Sequence, residues 1–93
     1  MKAKLIEKSR TNLTDDAFIE TALWLLPSPV PGSAHNFKYR LALVVNGECV
    51  LRYDNERGKG DHRHIGDREE SFEFTTLKAL IDAFNQDVER MLK

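Results

Sequence analysis

Cysteine is nearly missing from this chain. Cys49 stands alone among 93 residues, so neither an internal disulfide nor a cysteine-built zinc cage can form. Long apolar runs are missing too. The longest candidate, residues 17–26, stops at Pro27, short of the ~18 residues of a membrane span. The first residues, Met1-Lys2-Ala3-Lys4-Leu5, lack the apolar stretch of a secretory signal. These absences lead to the expectation of a cytoplasmic protein without membrane contact. Charge of one sign is not in excess: 14 Lys+Arg oppose 15 Asp+Glu, a net charge of -1. That balance argues against a generally basic nucleic-acid coat and leaves room for a local basic site. There is no internal repeat and no low-complexity tract. The apolar share of 41% suits a folded chain, and the length suits one domain over residues 1–93.

Residues 2–10 alternate loosely between lysines and Leu5 or Ile6, which predicts a strand whose lysines suit a sheet edge. Thr14-Asp15-Asp16 is a turn cluster. Residues 17–26 fit either period, but their β-branched and aromatic content favours a second strand. Phe18 and Trp24 share a face by parity and read most simply as core. Pro27, Pro29 and Pro31 cannot donate to a sheet ladder, so residues 27–36 form an extended connector. The clearest local signal is Asn46-Gly47 between two apolar runs, which predicts a type I′ hairpin over residues 37–54. A two-residue turn places Val45 opposite Glu48, Val44 opposite Cys49, Ala42 opposite Leu51 and Arg40 opposite Tyr53. One face then carries Arg40, Ala42, Val44, Cys49, Leu51 and Tyr53. Tyr39, Leu41, Leu43, Val45, Val50, Arg52 and Asp54 fall on the other.

Both faces are apolar near the turn, which puts this hairpin in the middle of a sheet. Both become polar at the far end, where any chemistry should emerge. Residues 55–70 read as a polar, glycine-punctuated loop, and Ser71-Phe72-Glu73-Phe74 as a short strand. Thr75 or Thr76 then caps a helix with Leu77, Leu80, Ile81, Phe84, Val88 and Met91 on one side. The expected fold is α+β: an antiparallel sheet of four to five strands in hairpin order, with one C-terminal amphipathic helix packed on one face.

Chemistry-bearing residues concentrate in residues 52–68. His62 and His64 lie two apart, so in an extended chain both imidazoles point the same way, about 6.5–7 Å apart at Cα. Histidine is the usual proton shuttle near neutral pH, and such a pair could deprotonate a ribose 2′-hydroxyl and protonate the leaving 5′-oxygen. Arg63, Lys59 or Arg52 would stabilise charge building on the phosphorus oxygens. Gly58 and Gly60 would let backbone amides approach a phosphate. Tyr53, Asp54, Asn55, Asp61, His35 and Arg40 complete the candidate substrate-binding set. This version needs no metal and no cofactor. The alternative uses Asp61, His62 and His64, with Asp54 as a further ligand, to hold manganese, zinc or iron. It ranks second, because the spacing matches no strong metal motif. Charged glycine-containing loops are usually just solvated; the density of Gly, Lys, Asp, His and Arg within eight residues weighs against that reading.

Several strings together resemble the small TumE-type toxins of bacterial toxin–antitoxin systems. They are Arg52-Tyr53-Asp54-Asn55, Gly58-Lys59-Gly60-Asp61-His62-Arg63-His64, Gly66-Asp67-Arg68-Glu69-Glu70 and Phe72-Glu73-Phe74. Upstream, Leu26-Pro27, Pro29, Pro31-Gly32-Ser33, His35 and Lys38-Tyr39-Arg40-Leu41 fit the same pattern, so the likeness spans about residues 2–90. The resemblance implies a growth-inhibiting toxin acting on RNA and neutralised by an antitoxin encoded beside it. That antitoxin would carry a helix-turn-helix DNA-binding domain. The competing expectation is a non-catalytic module that grips RNA, a nucleotide or a partner and inhibits by occupancy. A homodimer through an exposed sheet edge is a further partner expectation.

Overall fold

The computed structural model describes residues 3–93; Met1 and Lys2, the latter the first residue of the expected edge strand, lie outside the described residues. Six strands form one antiparallel sheet in sequence order. They are β1 (Lys4–Asn12), β2 (Ala17–Leu25), β3 (Phe37–Val45), β4 (Glu48–Glu56), β5 (Gly60–Ile65) and β6 (Arg68–Ser71), followed by helix α1 (Leu77–Leu92). The α+β class, the hairpin order and the C-terminal helix agree with expectation, but the strand count is six rather than four or five. The extra strand comes from the segment expected to be a loop. β5 reads Gly60-Asp61-His62-Arg63-His64-Ile65, so both of its faces are polar and no apolar period announces it. Conversely, Phe72-Glu73-Phe74 is not a strand. β6 ends at Ser71, and Phe72 and Phe74 turn onto the core.

The turn of the central hairpin forms as the sequence predicts, with positive φ at Asn46 (52°) and Gly47 (78°). Val45 pairs with Glu48 and Val44 with Cys49, and there the expected register stops. A bulge at Val50 moves the ladder by one residue, so Leu43 pairs with Leu51, Leu41 with Tyr53 and Arg40 with Asp54. One inserted residue reverses every later side chain. Leu51 and Tyr53 therefore join Tyr39, Leu41 and Leu43, while Arg52 and Asp54 join Arg40 and Ala42. The two faces expected for this hairpin are corrected accordingly. The physical reason is sorting: an unbulged register would split the large apolar groups between the faces and push Asp54 into the core. The core is Leu23, Tyr39, Leu41, Leu43, Leu51 and Tyr53 under Leu80, Phe84 and Val88 of the helix. From β2 it receives Ile19 and Leu23. Phe18 and Trp24 share a face, but it is the one without the helix, where they are half-buried rather than core.

Helix α1 starts at Thr76, whose side chain accepts from the Ala79 N–H at 3.0 Å. It is latched to the sheet by Asp87, which accepts from the Tyr53 hydroxyl and from Arg63 Nη1. The proline-rich connector is clamped rather than free. Pro31 O accepts from the Gly58 N–H at 2.7 Å, and Gly32 lies so close to Gly60 that a Cβ on Gly60 would stand 2.6 Å from Gly32 O. Both glycines have positive φ, +99° and +75°, so side chains are excluded twice over. This contact holds Ser33 and His35 over the end of the core that α1 does not cover.

The chain's two tyrosines, Tyr39 and Tyr53, are both 0% exposed. Burial pushes the Tyr53 phenol up to about 12, with the Asp87 carboxylate adding to the shift. Tyr39 is raised further, by burial first and then by its hydrogen bond to Asp61. A pKa raised in the folded state gives stability that is complete below the unfolded value of about 10 and is lost as pH climbs beyond it. Phenolate absorbance and helical circular dichroism are therefore expected to change together in one alkaline unfolding step. A phenol ionising near pH 10 in the folded protein would contradict this burial.

Candidate functional site

Residues paired across an antiparallel ladder share a face, so the register lays out the helix-free surface as lateral rows. One row runs Lys8, Ala22, Arg40, Asp54, His62, Ser71; the next runs Arg10, Glu20, Ala42, Arg52, His64, Glu69. The two rows cross all six strands. Their β1–β3 end is a shallow groove of about 350 Å³ holding Lys8, Arg10 and Arg40 around Glu20. Their β4–β6 end is where the chemistry concentrates.

There His62 is 3% exposed and Asp54 6%. The His62 Nδ1–H donates to Gly60 O at 3.0 Å, which leaves Nε2 carrying the lone pair in the neutral ring. That Nε2 stands 2.7 Å from Asp54 Oδ1, yet off the line of a hydrogen bond, and neither atom has another partner. The His64 Nε2 is buried without a partner as well. The two imidazoles meet edge-on with centroids 4.9 Å apart. Arg52 Nε lies 3.0 Å from the other Asp54 oxygen as an ion pair, likewise off the line of a hydrogen bond. Glu69 stands near both rings, 3.9 Å from His64 Nδ1 and 3.9 Å from His62 Nε2. Lys59 pairs with Glu69 at 3.3 Å and holds its carboxyl below the usual range. A groove of about 370 Å³ at the β6 edge is lined by Lys59, His62, Glu69, Glu70 and Ser71, so of the two rings it reaches His62.

Of the four residues expected to converge, His62, His64 and Lys59 come together and Arg63 does not. Its strand parity sends it to the helix side, where it bonds Tyr53, Asp87 and Glu70. Tyr53 is core. Arg52, Asp54 and Arg40 lie on the helix-free face with the histidines. Gly58 and Gly60 do not form a phosphate cradle: the Gly58 N–H is spent on Pro31 O, the Lys59 N–H on Glu56 O, and Gly60 abuts Gly32.

Asp61, His35 and Asn55 belong to a separate network under the proline-rich connector. Asp61 Oδ2 accepts from the Tyr39 hydroxyl at 2.7 Å and from His35 Nε2 at 2.7 Å, while Oδ1 accepts from the Ser33 hydroxyl at 2.9 Å. His35 Nδ1 accepts from the Phe37 N–H, which fixes the proton on Nε2, and its ring stacks on Phe74 at 3.8 Å. With every donor matched, this cluster ties the connector to the sheet.

Among the described residues, one group of three metal-capable side chains converges: Asp54, His62 and His64, with ligand atoms within 4.8 Å of one another. Asp61 is not in it, which corrects the ligand set expected from sequence. Adjacent residues on a strand face opposite ways, so Asp61 cannot join His62, whereas Asp54 directly faces His62 across the ladder. Sequence reasoning also missed Glu69, Lys8 and Arg10 as parts of this face. Lys8 and Arg10 are two apart, the same parity signal as the histidines, but they read only as edge lysine-type residues. No helix among the described residues is long and apolar enough to cross a membrane.

No curated protein and no solved structure matches the chain significantly. A family model does, over residues 2–92, and its description is Toxin TumE. That match takes in both rows of the helix-free face and the whole connector network, and by it the chain belongs to the TumE toxin family.

Proposed function

We propose that this toxin cleaves RNA on the helix-free face of its sheet, with the scissile phosphodiester at the Asp54–His62–His64 pocket. The observation that carries the reading is the coincidence of two things on one surface. Buried polar atoms lacking partners lie at one end, and a lateral track of cations leads to them. Adjacent strands lie about 4.8 Å apart, so Lys8, Arg40 and the His62 pocket follow one another at steps of about 10 Å. Flexible side chains on that spacing can follow the phosphates of a single strand lying across the sheet. Arg40 and Arg52 flank Asp54 and take the phosphate charge next to the pocket. Family membership brings a cognate antitoxin; our reading adds that it is encoded beside this chain, carries a helix-turn-helix domain and meets the toxin in the cytoplasm.

The test is incubation of purified protein with a defined RNA, run both chelated and with divalent ions, with the ends of any products mapped. Cleavage in either condition supports the reading. Arg10→Ala and Arg40→Ala are each expected to weaken RNA binding on all sequences and to lower the salt slope by about 0.7. Phe18 and Trp24, half-buried on this same face, support a second reading, since aromatic groups beside cations are stacking platforms for single-stranded bases. Stoichiometric inhibition of translation without products in either condition would establish that binding function and remove the nuclease.

A further inference from the structure

We infer that Asp54, His62 and His64 bind one divalent first-row transition-metal ion. Three features, each independent of the others, converge on it. First, the tautomer: His62 Nδ1–H is committed to Gly60 O at 3.0 Å, so the nitrogen facing Asp54 is the one with the lone pair. A second-sphere carbonyl fixing the ring in this way is the usual companion of a metal-bound histidine. Second, the partners: Asp54 Oδ1, His62 Nε2 and His64 Nε2 are all buried and all lack hydrogen bonds, as does the neighbouring Arg52 Nε, which is a donor and no ligand. Leaving such groups buried and unmatched is destabilising, so a shared occupant is the simplest explanation. Third, the charged surroundings: Arg52 Nε lies 3.0 Å from the other oxygen of Asp54 as an ion pair, unaligned for a hydrogen bond, and Glu69 stands 3.9 Å from His64 Nδ1.

A buried imidazolium–carboxylate pair is the competing account. It would use the 2.7 Å separation of His62 Nε2 and Asp54 Oδ1. It needs the Nε2 hydrogen aligned on that oxygen, which it is not, and it gives His64 Nε2 nothing to bind. A metal serves all three atoms. Ligands at about 2.0–2.1 Å from one ion stand roughly 3.0–3.4 Å apart, so the His62–Asp54 edge of 2.7 Å is close to that spacing, and the set, whose ligand atoms lie within 4.8 Å of one another, closes on the ion when it binds. Two imidazoles and one carboxylate select zinc, iron(II), manganese, cobalt or nickel over magnesium. Three protein ligands leave positions open, and His62 also lines the Lys59–Glu69 groove, from which a phosphate oxygen or water has access.

The experiment is calorimetric titration of the tag-free, EDTA-stripped full chain with Zn2+, paired with Co2+ absorption spectra. One equivalent of Zn2+ is expected, together with a visible Co2+ band of nitrogen–oxygen coordination. His64→Gln is the decisive variant because its side chain is 25% exposed and the fold should survive, as checked by circular dichroism. It is expected to weaken Zn2+ binding by about 100-fold or more. His35→Gln, on the opposite face, should keep the full stoichiometry. Absence of uptake by the wild-type chain, or equal uptake by folded His64→Gln, overturns the inference. It does not rest on the RNA reading: metal uptake without RNA cleavage leaves it standing and sinks the nuclease, and cleavage without uptake does the reverse.

Discussion

Asn55→Leu, a change that roughly keeps side-chain volume, is expected to destabilise the fold by about 3–5 kcal/mol. Asn55 is 0% exposed and stands where β3 runs on past its last ladder pair with β4. Its side-chain amide takes over there as a substitute peptide group. Oδ1 accepts from the Tyr39 N–H at 3.0 Å, and Nδ2 donates to Phe37 O at 2.7 Å and to Ser33 Oγ at 3.3 Å. A leucine would leave a backbone donor and a backbone acceptor buried and unmatched, each costing about 1–3 kcal/mol. It would also remove the donation from Asn55 Nδ2 to Ser33 Oγ, one of the bonds that anchor the connector. Asn55→Asp separates the two functions, since a carboxylate still accepts from Tyr39 but cannot donate to Phe37 O. It should fall between wild type and Asn55→Leu in urea midpoint. A domain of this size holds about 5–14 kcal/mol in total, so the larger loss removes a substantial share of it. A shift below about 1 kcal/mol for Asn55→Leu would show that water or another group serves those backbone atoms.

The same residue shows where the sequence is legible and where it is not. Periodicity and turn chemistry are local, so the Asn46-Gly47 hairpin, the Thr76 cap and the apolar stripe of α1 could be read directly. The bulge at Val50 could not, because nothing in Glu48-Cys49-Val50-Leu51 marks an extra residue. Only the sum of side chains across several strands favours it. That one event carried the error into the site, since it puts Arg52, Asp54 and the histidines opposite them on the face of Arg40 and Ala42 rather than on that of Tyr39 and Leu41. β5 was illegible for a related reason: both its faces are polar, one serving the pocket and the other the latch to α1. Strand parity did place His62 and His64 together, and it would also have separated Arg63 from them, had residues 60–65 been read as a strand.

That separation gives the sharpest functional contrast. On the proposed nuclease reading, His64→Ala is expected to reduce RNA cleavage and growth arrest by about 100-fold or more, because it removes a group at the proposed reaction centre. Arg63→Ala is expected to act through stability alone. Arg63 Nη1 bonds the Tyr53 hydroxyl at 3.1 Å and Asp87 Oδ2 at 3.1 Å, and Nε bonds Glu70, all on the helix side of the sheet. Its side chain is 30% exposed, so solvent screens these ion pairs and the loss should stay near 1–2 kcal/mol. Asp87 keeps the Tyr53 hydroxyl and Arg90 as partners, which limits the damage. Toxicity of Arg63→Ala should therefore track the amount of folded protein and recover at lower temperature, whereas His64→Ala should stay inactive although fully folded. Growth on induction, soluble protein level and melting temperature, measured for both variants at two temperatures, separate the cases. A folded but inactive Arg63→Ala beside a fully toxic His64→Ala would move the reaction centre to the helix side. The two residues are consecutive in sequence and equally polar, so only the pleat of β5 distinguishes their roles.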